Sequence, residues 1–207
     1  MRNPFIYPKT RHARTQNPPQ YVNYKSYKKY LRPEFSQKCV YCCTPDTLKG
    51  QAQFGVDHYR PKKNFPTLST SYTNLFYCCN QCNSRKRNYW PSLQLEKSHF
   101  IPNPCEHQMF AHLQFQDGTV LYKTEAGKIA CEILDLNDHD SIEYRKFIDS
   151  TIKISLKRQT EILETIQTIT NRMSKGLIET TKGASLIHTL RSDLNRIIRN
   201  LQIMTGI

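Results

Sequence analysis

Apolar positions fall into a long helical pattern at one end of the chain and short, broken patterns elsewhere. From Ile142 onward, Ile148, Ile152, Leu156, Ile162 or Leu163, Ile166, Ile169 and Met173 recur at three- and four-residue steps, the spacing of one helix face. Gly176 and Gly183 bracket a weak segment, after which Leu186, Leu190, Leu194, Ile197 and Leu201 form a second stripe. Two amphipathic helices joined by a short break predict a helical hairpin, starting near Asp140 or Ser141, either of which can cap a helix. Residues 91–140 show no long period. Pro102-Asn103-Pro104, Asp117-Gly118 and Ala126-Gly127 are turn signals, and residues 112–115 and 119–122 read as the strands of a β-hairpin. Near the start, Tyr21, Tyr24, Tyr27 and Tyr30 recur at three-residue steps. Residues 21–31 suit a short helix ended at Arg32-Pro33, because proline disfavours helix in the residue before it.

These patterns divide the chain into a basic, tyrosine-rich segment (1–36), a compact chemical core (37–90), a short-strand and loop extension (91–140) and a helical hairpin (141–207). Charge sharpens the division. The net charge is +13, and residues 1–90 hold all of it, with 16 Lys and Arg against Glu34, Asp46 and Asp57. Residues 91–207 carry 14 basic and 14 acidic residues. A polyanion is the natural partner of the first part and not of the second. Within the first segment Lys25, Lys28 and Lys29 lie among the tyrosines, a composition suited to phosphate contact with base stacking or, equally, to packing of the tyrosines on the domain. Residues 91–207 being neutral as a whole, the hairpin, long for a pair of helices packed only on itself, is a candidate docking region for a partner protein; completing the monomer's core is the other use of such stripes.

No run of about 18 apolar residues is present, which argues against a transmembrane helix. The first ten residues lack the apolar stretch of a secretory signal, so a cytoplasmic location is expected. Eight cysteines in that setting fit metal binding better than disulfides. Cys39-Val-Tyr-Cys42 and Cys79-Asn-Gln-Cys82 are two C-x2-C pairs, and together they supply the four thiolates of a structural zinc site. Cys43 and Cys78 each neighbour a ligand and could exchange with it. Cys105, His107, His112 and Cys131 are a further donor set at irregular spacing, explained as readily by free thiols and surface histidines.

Between the two pairs stands Gly55-Val56-Asp57-His58-Tyr59-Arg60-Pro61, followed by Asn74-Leu75 and by Asn83-Ser-Arg-Lys86 directly after Cys82. Aspartate beside histidine offers a metal ligand and a general base within one peptide unit. A strand holding both, set against a helix that begins near Cys79, would bring Asn83 to the same ion. Asn83 could instead simply cap that helix.

The order C-x2-C, Asp-His, Asn-Leu, C-x2-C-Asn-x2-Lys resembles the HNH endonuclease family. The resemblance covers about residues 39–90 and implies an α+β fold: a ββα-metal (His-Me finger) core with a four-cysteine zinc staple, followed here by the mainly α-helical hairpin. It implies a DNA-cutting hydrolase in which His58 is the general base, Asp57 and Asn83 hold a catalytic Mg2+ or Mn2+, and Asn74 orders the loop that aims His58. Cys39, Cys42, Cys79 and Cys82 would hold Zn2+, and Arg60 and Lys86 would contact phosphate. Tyr30-Leu31, Phe35, Arg60-Pro61, Phe100 and Asn103-Pro104 look like the stand-alone HNH proteins of bacterial anti-phage defence, of the Septu and retron kinds, which act beside an ATPase. Two other readings of the residues stay open: a zinc-ribbon module that grips nucleic acid without cutting it, and an RNA-cleaving nuclease on the same scaffold.

Overall fold

The computed structural model describes residues 3–206. They divide into two compact units, one comprising residues up to Lys146 together with Gly206, the other Phe147–Thr205.

The first unit opens with an extended strap whose Phe5 and Tyr7 are both 1% exposed; the Tyr7 hydroxyl donates to the Tyr41 carbonyl at 2.9 Å. The segment expected to face a polyanion is thus partly a core element: Phe5 and Tyr7 turn inward on either side of the exposed Ile6. A 3-10 turn, Tyr24–Tyr27, runs into helix α1, Lys28–Glu34. The helix does not stop at Arg32-Pro33. Pro33 occupies its last turn, where its missing N–H costs a single hydrogen bond. The chain leaves by a Schellman closure, with Gln37 N donating to Arg32 O and Ser36 N to Pro33 O, and Ser36 left-handed at φ 52°. Short α2 (Asp46–Lys49) precedes strand β1 (Phe54–His58), which pairs antiparallel with β2 (Leu75–Cys79) in the register Phe54 to Cys79 through His58 to Leu75. Helix α3, Asn80–Lys86, follows β2 with no intervening loop. All five residues of β2 are buried, which is why its sequence, Leu-Phe-Tyr-Cys-Cys, shows no alternation.

Beyond the ββα element, α4 (Met109–His112) leads into a hairpin of β3 (Leu113–Gln116) and β4 (Thr119–Tyr122). The expected hairpin is present with its first strand shifted by one residue. Asp117 and Gly118 form its two-residue turn, both left-handed at φ 47° and 84°, the twist a tight hairpin needs. Ala126-Gly127, expected as a turn, lies inside α5, Glu125–Ile133. Glycine is required there for space: a Cβ on Gly127 would sit 2.2 Å from the His112 carbonyl oxygen.

Helix α6, His139–Ser174, starts one residue before the earliest expected position, and its first turn is capped by Asp138, whose Oδ1 accepts from Ser141 N at 3.0 Å. Asp138 thus takes the capping place expected of Asp140 or Ser141. In the second unit α6 ends in another Schellman closure, Leu177 N to Arg172 O and Gly176 N to Met173 O, with Gly176 at φ 69°. α7, Thr180–Thr205, follows. Gly183 does not bound the break; it lies within α7 at a close approach, where a Cβ would meet Met173 Sδ at 2.3 Å. No helix among the described residues is long and apolar enough to cross a membrane.

Candidate active site

The four knuckle cysteines converge. Cys39, Cys42, Cys79 and Cys82 place their sulfurs all within 4.8 Å of one another. Four thiolates around zinc at about 2.3 Å are spaced about 3.8 Å apart, and the Cys42 and Cys79 sulfurs stand 3.8 Å apart. The donor set and its dimensions therefore fit a tetrahedral zinc. Cys43 and Cys78 stay outside this cluster: burial pushes the Cys43 thiol up to about 12 and that of Cys78 up to about 11, and Cys78 Sγ donates to the Cys79 carbonyl. Cys105, His107, His112 and Cys131 make no metal cluster among the described residues; His107 stacks on Phe100 at 4.8 Å instead.

The cysteine cluster sits at the corner where β2 becomes α3, and the same corner opposes β1. A cavity of about 450 Å³ lies between them, lined by Asp57 and His58 of β1, by Asn80, Asn83 and Ser84 along one face of α3, by Arg87 just past its end, and by Tyr24 and Lys62. The α3 residues recur at steps of three and four, so they share a face. His58 Nε2 lies 2.9 Å from the Ser69 carbonyl oxygen. A carbonyl only accepts, so Nε2 carries the proton and Nδ1 keeps its lone pair. Burial lowers the imidazole pKa below its ordinary value, against the opposing pull of the Ser69 carbonyl and of Asp57. The Tyr24 ring abuts the imidazole edge-on at 4.5 Å. Asn74 does not reach the cavity. Its amide accepts from Arg60 N at 2.8 Å and donates to Arg60 O at 3.0 Å and Leu68 O at 3.2 Å, tying the two ends of the loop that carries Ser69.

Asp57 is 3% exposed and sits in a polar network that the sequence did not announce. Its Oδ2 accepts from the Tyr41 hydroxyl at 2.5 Å and lies 3.1 Å from Lys86 Nζ, while Oδ1 meets only Lys86, at 3.2 Å. Lys86 also donates to the His58 carbonyl at 2.7 Å. Oδ1 is thus the more lightly engaged of the two oxygens. Asn83 is half-buried in the cavity wall, and its side-chain amide makes no hydrogen bond among the described residues. A carboxylate oxygen and an amide oxygen are the hard donors that Mg2+ or Mn2+ prefers.

Several expected cations lie elsewhere. Lys86 is not a phosphate contact: its side chain is 1% exposed, and its charge is spent on Asp57. Arg60 does not line the cavity; its guanidinium packs over the rings of Trp90 and Phe65. Lys28 donates to the Gln51 carbonyl and Lys29 lies over Tyr21 and Tyr30; neither they nor the exposed Lys25 reach the cavity. The cations at its mouth are Lys62 and Arg87, each within two residues of an expected one. Chain direction at a bend and at a helix end decides which of neighbouring cations faces inward, and spacing alone does not reveal it.

Residues 39–89 match the sequence model of the family described as HNH endonuclease; this stretch is an HNH endonuclease domain. The chain is 25% identical over 174 residues to Septu protein PtuB of Bacillus mycoides (strain KBAB4), covering 70% of this chain and 57% of that protein. It is 22% identical over 143 residues to Septu protein PtuA of the same organism, covering 56% of this chain and 20% of that protein. The chain thus spans less than two thirds of either relative. No solved structure matches it.

Proposed function

We propose that this protein is a metal-dependent endonuclease that hydrolyses phosphodiester bonds in DNA, the nuclease component of a bacterial anti-phage defence system acting with an ATPase. The observation that carries the chemistry is the shared cavity of Asp57, His58 and Asn83, with His58 Nε2 committed to Ser69 and Nδ1 available. In this reading Nδ1 takes a proton from the attacking water as its oxygen bonds to phosphorus. The bond from phosphorus to the 3′ oxygen breaks, leaving 5′-phosphate and 3′-hydroxyl ends. Asp57 Oδ1 and the Asn83 amide oxygen would hold Mg2+ or Mn2+, which when bound stabilises charge on the phosphate and the departing oxygen. Lys62 and Arg87 would draw the phosphate in, and Asn74 would keep the Ser69 carbonyl aimed at His58. Zn2+ on Cys39, Cys42, Cys79 and Cys82 would be structural.

The defence role and the partner rest on the likeness to PtuB and PtuA. In the helical unit Phe147 and Ile154, seven residues apart on one face, are 67% and 69% exposed, which supports this unit as the docking region for the ATPase. Incubating the purified protein with DNA and with RNA, with Mg2+ and with chelator, tests the reaction. Mg2+-dependent cutting of DNA with 3′-hydroxyl ends is expected. Binding without cutting would return the zinc-ribbon reading, and cutting confined to RNA would replace the substrate.

A further inference from the structure

A second cavity, of about 470 Å³, is lined by other residues of the segment that carries His58. His58, Pro61 and Lys62 line the first cavity, whereas the intervening Tyr59 and Arg60 line the second, with Trp90, Lys97, Phe100 and Glu106. Its floor is aromatic. Trp90 meets Tyr59 and Phe65 edge-on, at 5.6 and 5.2 Å, and the Arg60 guanidinium lies 5.3 Å from the Trp90 ring.

The charges around this floor are unequal in their engagement. Glu96 accepts from Trp90 Nε1 at 3.1 Å and Glu106 accepts from Asn103 at 2.9 Å. Arg60 and Lys97 make no ion pair among the described residues. The carboxylate oxygens are thus held by Trp90 and Asn103, while the Arg60 and Lys97 side chains donate no hydrogen bond among the described residues, so the open donors beside the rings suit a ligand that brings acceptor oxygens and a ring. A simple phosphate would make no use of the rings, and an uncharged ring would make no use of the two cations. A nucleotide has both parts, its base to stack and its phosphate to pair.

Accordingly, resting on the reading of the first cavity as a phosphodiesterase site, we infer that the Trp90–Arg60 pocket holds one unpaired nucleotide of the strand being cut. Two residues of chain span at most about 7 Å, close to two base steps of about 3.4 Å. The pocket therefore takes a base close to the phosphate at His58. In a duplex that base face is covered by its neighbours, so the pocket selects single-stranded or frayed substrate.

Trp90 is the chain's single tryptophan, so its fluorescence reports the pocket alone. In a His58→Ala chain, which binds without turnover, end-labelled single-stranded DNA and RNA and blunt duplex are titrated. Binding is read by anisotropy and stacking by Trp90 quenching. Saturable quenching by a single strand and not by the duplex is expected, the tighter of the DNA and RNA arms identifying the polymer. Trp90→Ala should weaken single-strand binding roughly five- to a hundred-fold and change duplex binding less than about twofold. Arg60→Gln, which keeps the tryptophan, should weaken the quenching titration in the same direction. Single-strand binding by anisotropy with unchanged Trp90 emission would overturn the pocket while leaving the nuclease reading intact. No binding of any oligonucleotide, with no cleavage by the unaltered protein, would overturn the nuclease reading itself.

Discussion

The ββα core and the helical unit hold themselves together by different means. In the core, β2 is buried throughout, four thiolates meet at one point, and a Lys–Asp pair lies almost wholly out of water. In the helical unit the buried residues among those described are few: Ile148, Ile152, Ile162, Gly183, Leu201, Met204 and Thr205. Its surface ion pairs, such as Lys153–Asp149 and Arg158–Glu161, are of a kind that contributes little. A core this small needs a metal staple and close polar pairing to keep one conformation. Long helices need only repeated turns and a stripe, and they can leave apolar side chains such as Phe147 and Ile154 uncovered. The two regions should therefore fail in different ways.

Loss of the staple should have the largest effect. Structural zinc at thiolates is worth on the order of 10 kcal/mol. Cys39→Ser should abolish zinc content and give the deepest fall in Tm, while much of the far-UV helical signal, carried by α6 and α7, persists. Elemental analysis of freshly prepared protein showing no zinc would remove this explanation. Next comes the buried pair. Lys86→Met leaves Asp57 buried without its counter-charge and should cost about 3–5 kcal/mol in denaturant unfolding. Tyr41→Phe, which removes one hydrogen bond to the same carboxylate, should cost about 1–3 kcal/mol. Equal, small effects from both would mean that the carboxylate is held by something else.

Glu34 gives the pH arm of the comparison. Burial alone would raise its pKa, but the N–H groups of Gln16 and Thr15, Arg14 and the Tyr72 hydroxyl outweigh that and hold it below its ordinary value. With the folded value below the unfolded one, the stabilisation is complete above the unfolded pKa and disappears as pH falls through the folded one. Glu34→Gln should thus destabilise at neutral pH, by about 1–3 kcal/mol, and converge on the unaltered protein as the solution is acidified below about pH 4. A pH-independent difference would show that charge is not the cause.

Changes in the helical unit should have the smallest effect on stability and a large one on assembly. Phe147→Ser with Ile154→Ser should shift unfolding by no more than about 0.5 kcal/mol per site yet prevent recovery of the proposed ATPase partner with this chain. Aggregation or unfolding of the double variant would place these side chains in the core instead.

The same contrast governs what the sequence made legible. The cysteine cluster and the helical stripes were readable because metal geometry and the helical period demand fixed residue types at fixed steps, and the β1–β2–α3 order followed from the resemblance to HNH endonucleases. Tyr41 was not readable, because a tyrosine between two of the clustered cysteines carries no mark of the carboxylate that reaches it from a strand sixteen residues on. The surroundings of Lys86 and Arg60 were not legible for a related reason. Their charge suggested phosphate, but burial beneath β1 and stacking on Trp90 are tertiary facts. The start of α6 was off by one residue because Asp138, Asp140 and Ser141 are all competent caps, and spacing does not choose among them.

The central claim is that the cavity of Asp57, His58 and Asn83 does the cutting and that His58 is its base. Its most direct test is single-turnover cleavage of DNA by His58→Ala beside the unaltered protein, with zinc content and Tm measured on the same samples. The rate should fall by about 100- to 10,000-fold, with zinc and Tm unchanged. Cleavage retained above about a tenth of the original rate would contradict the claim.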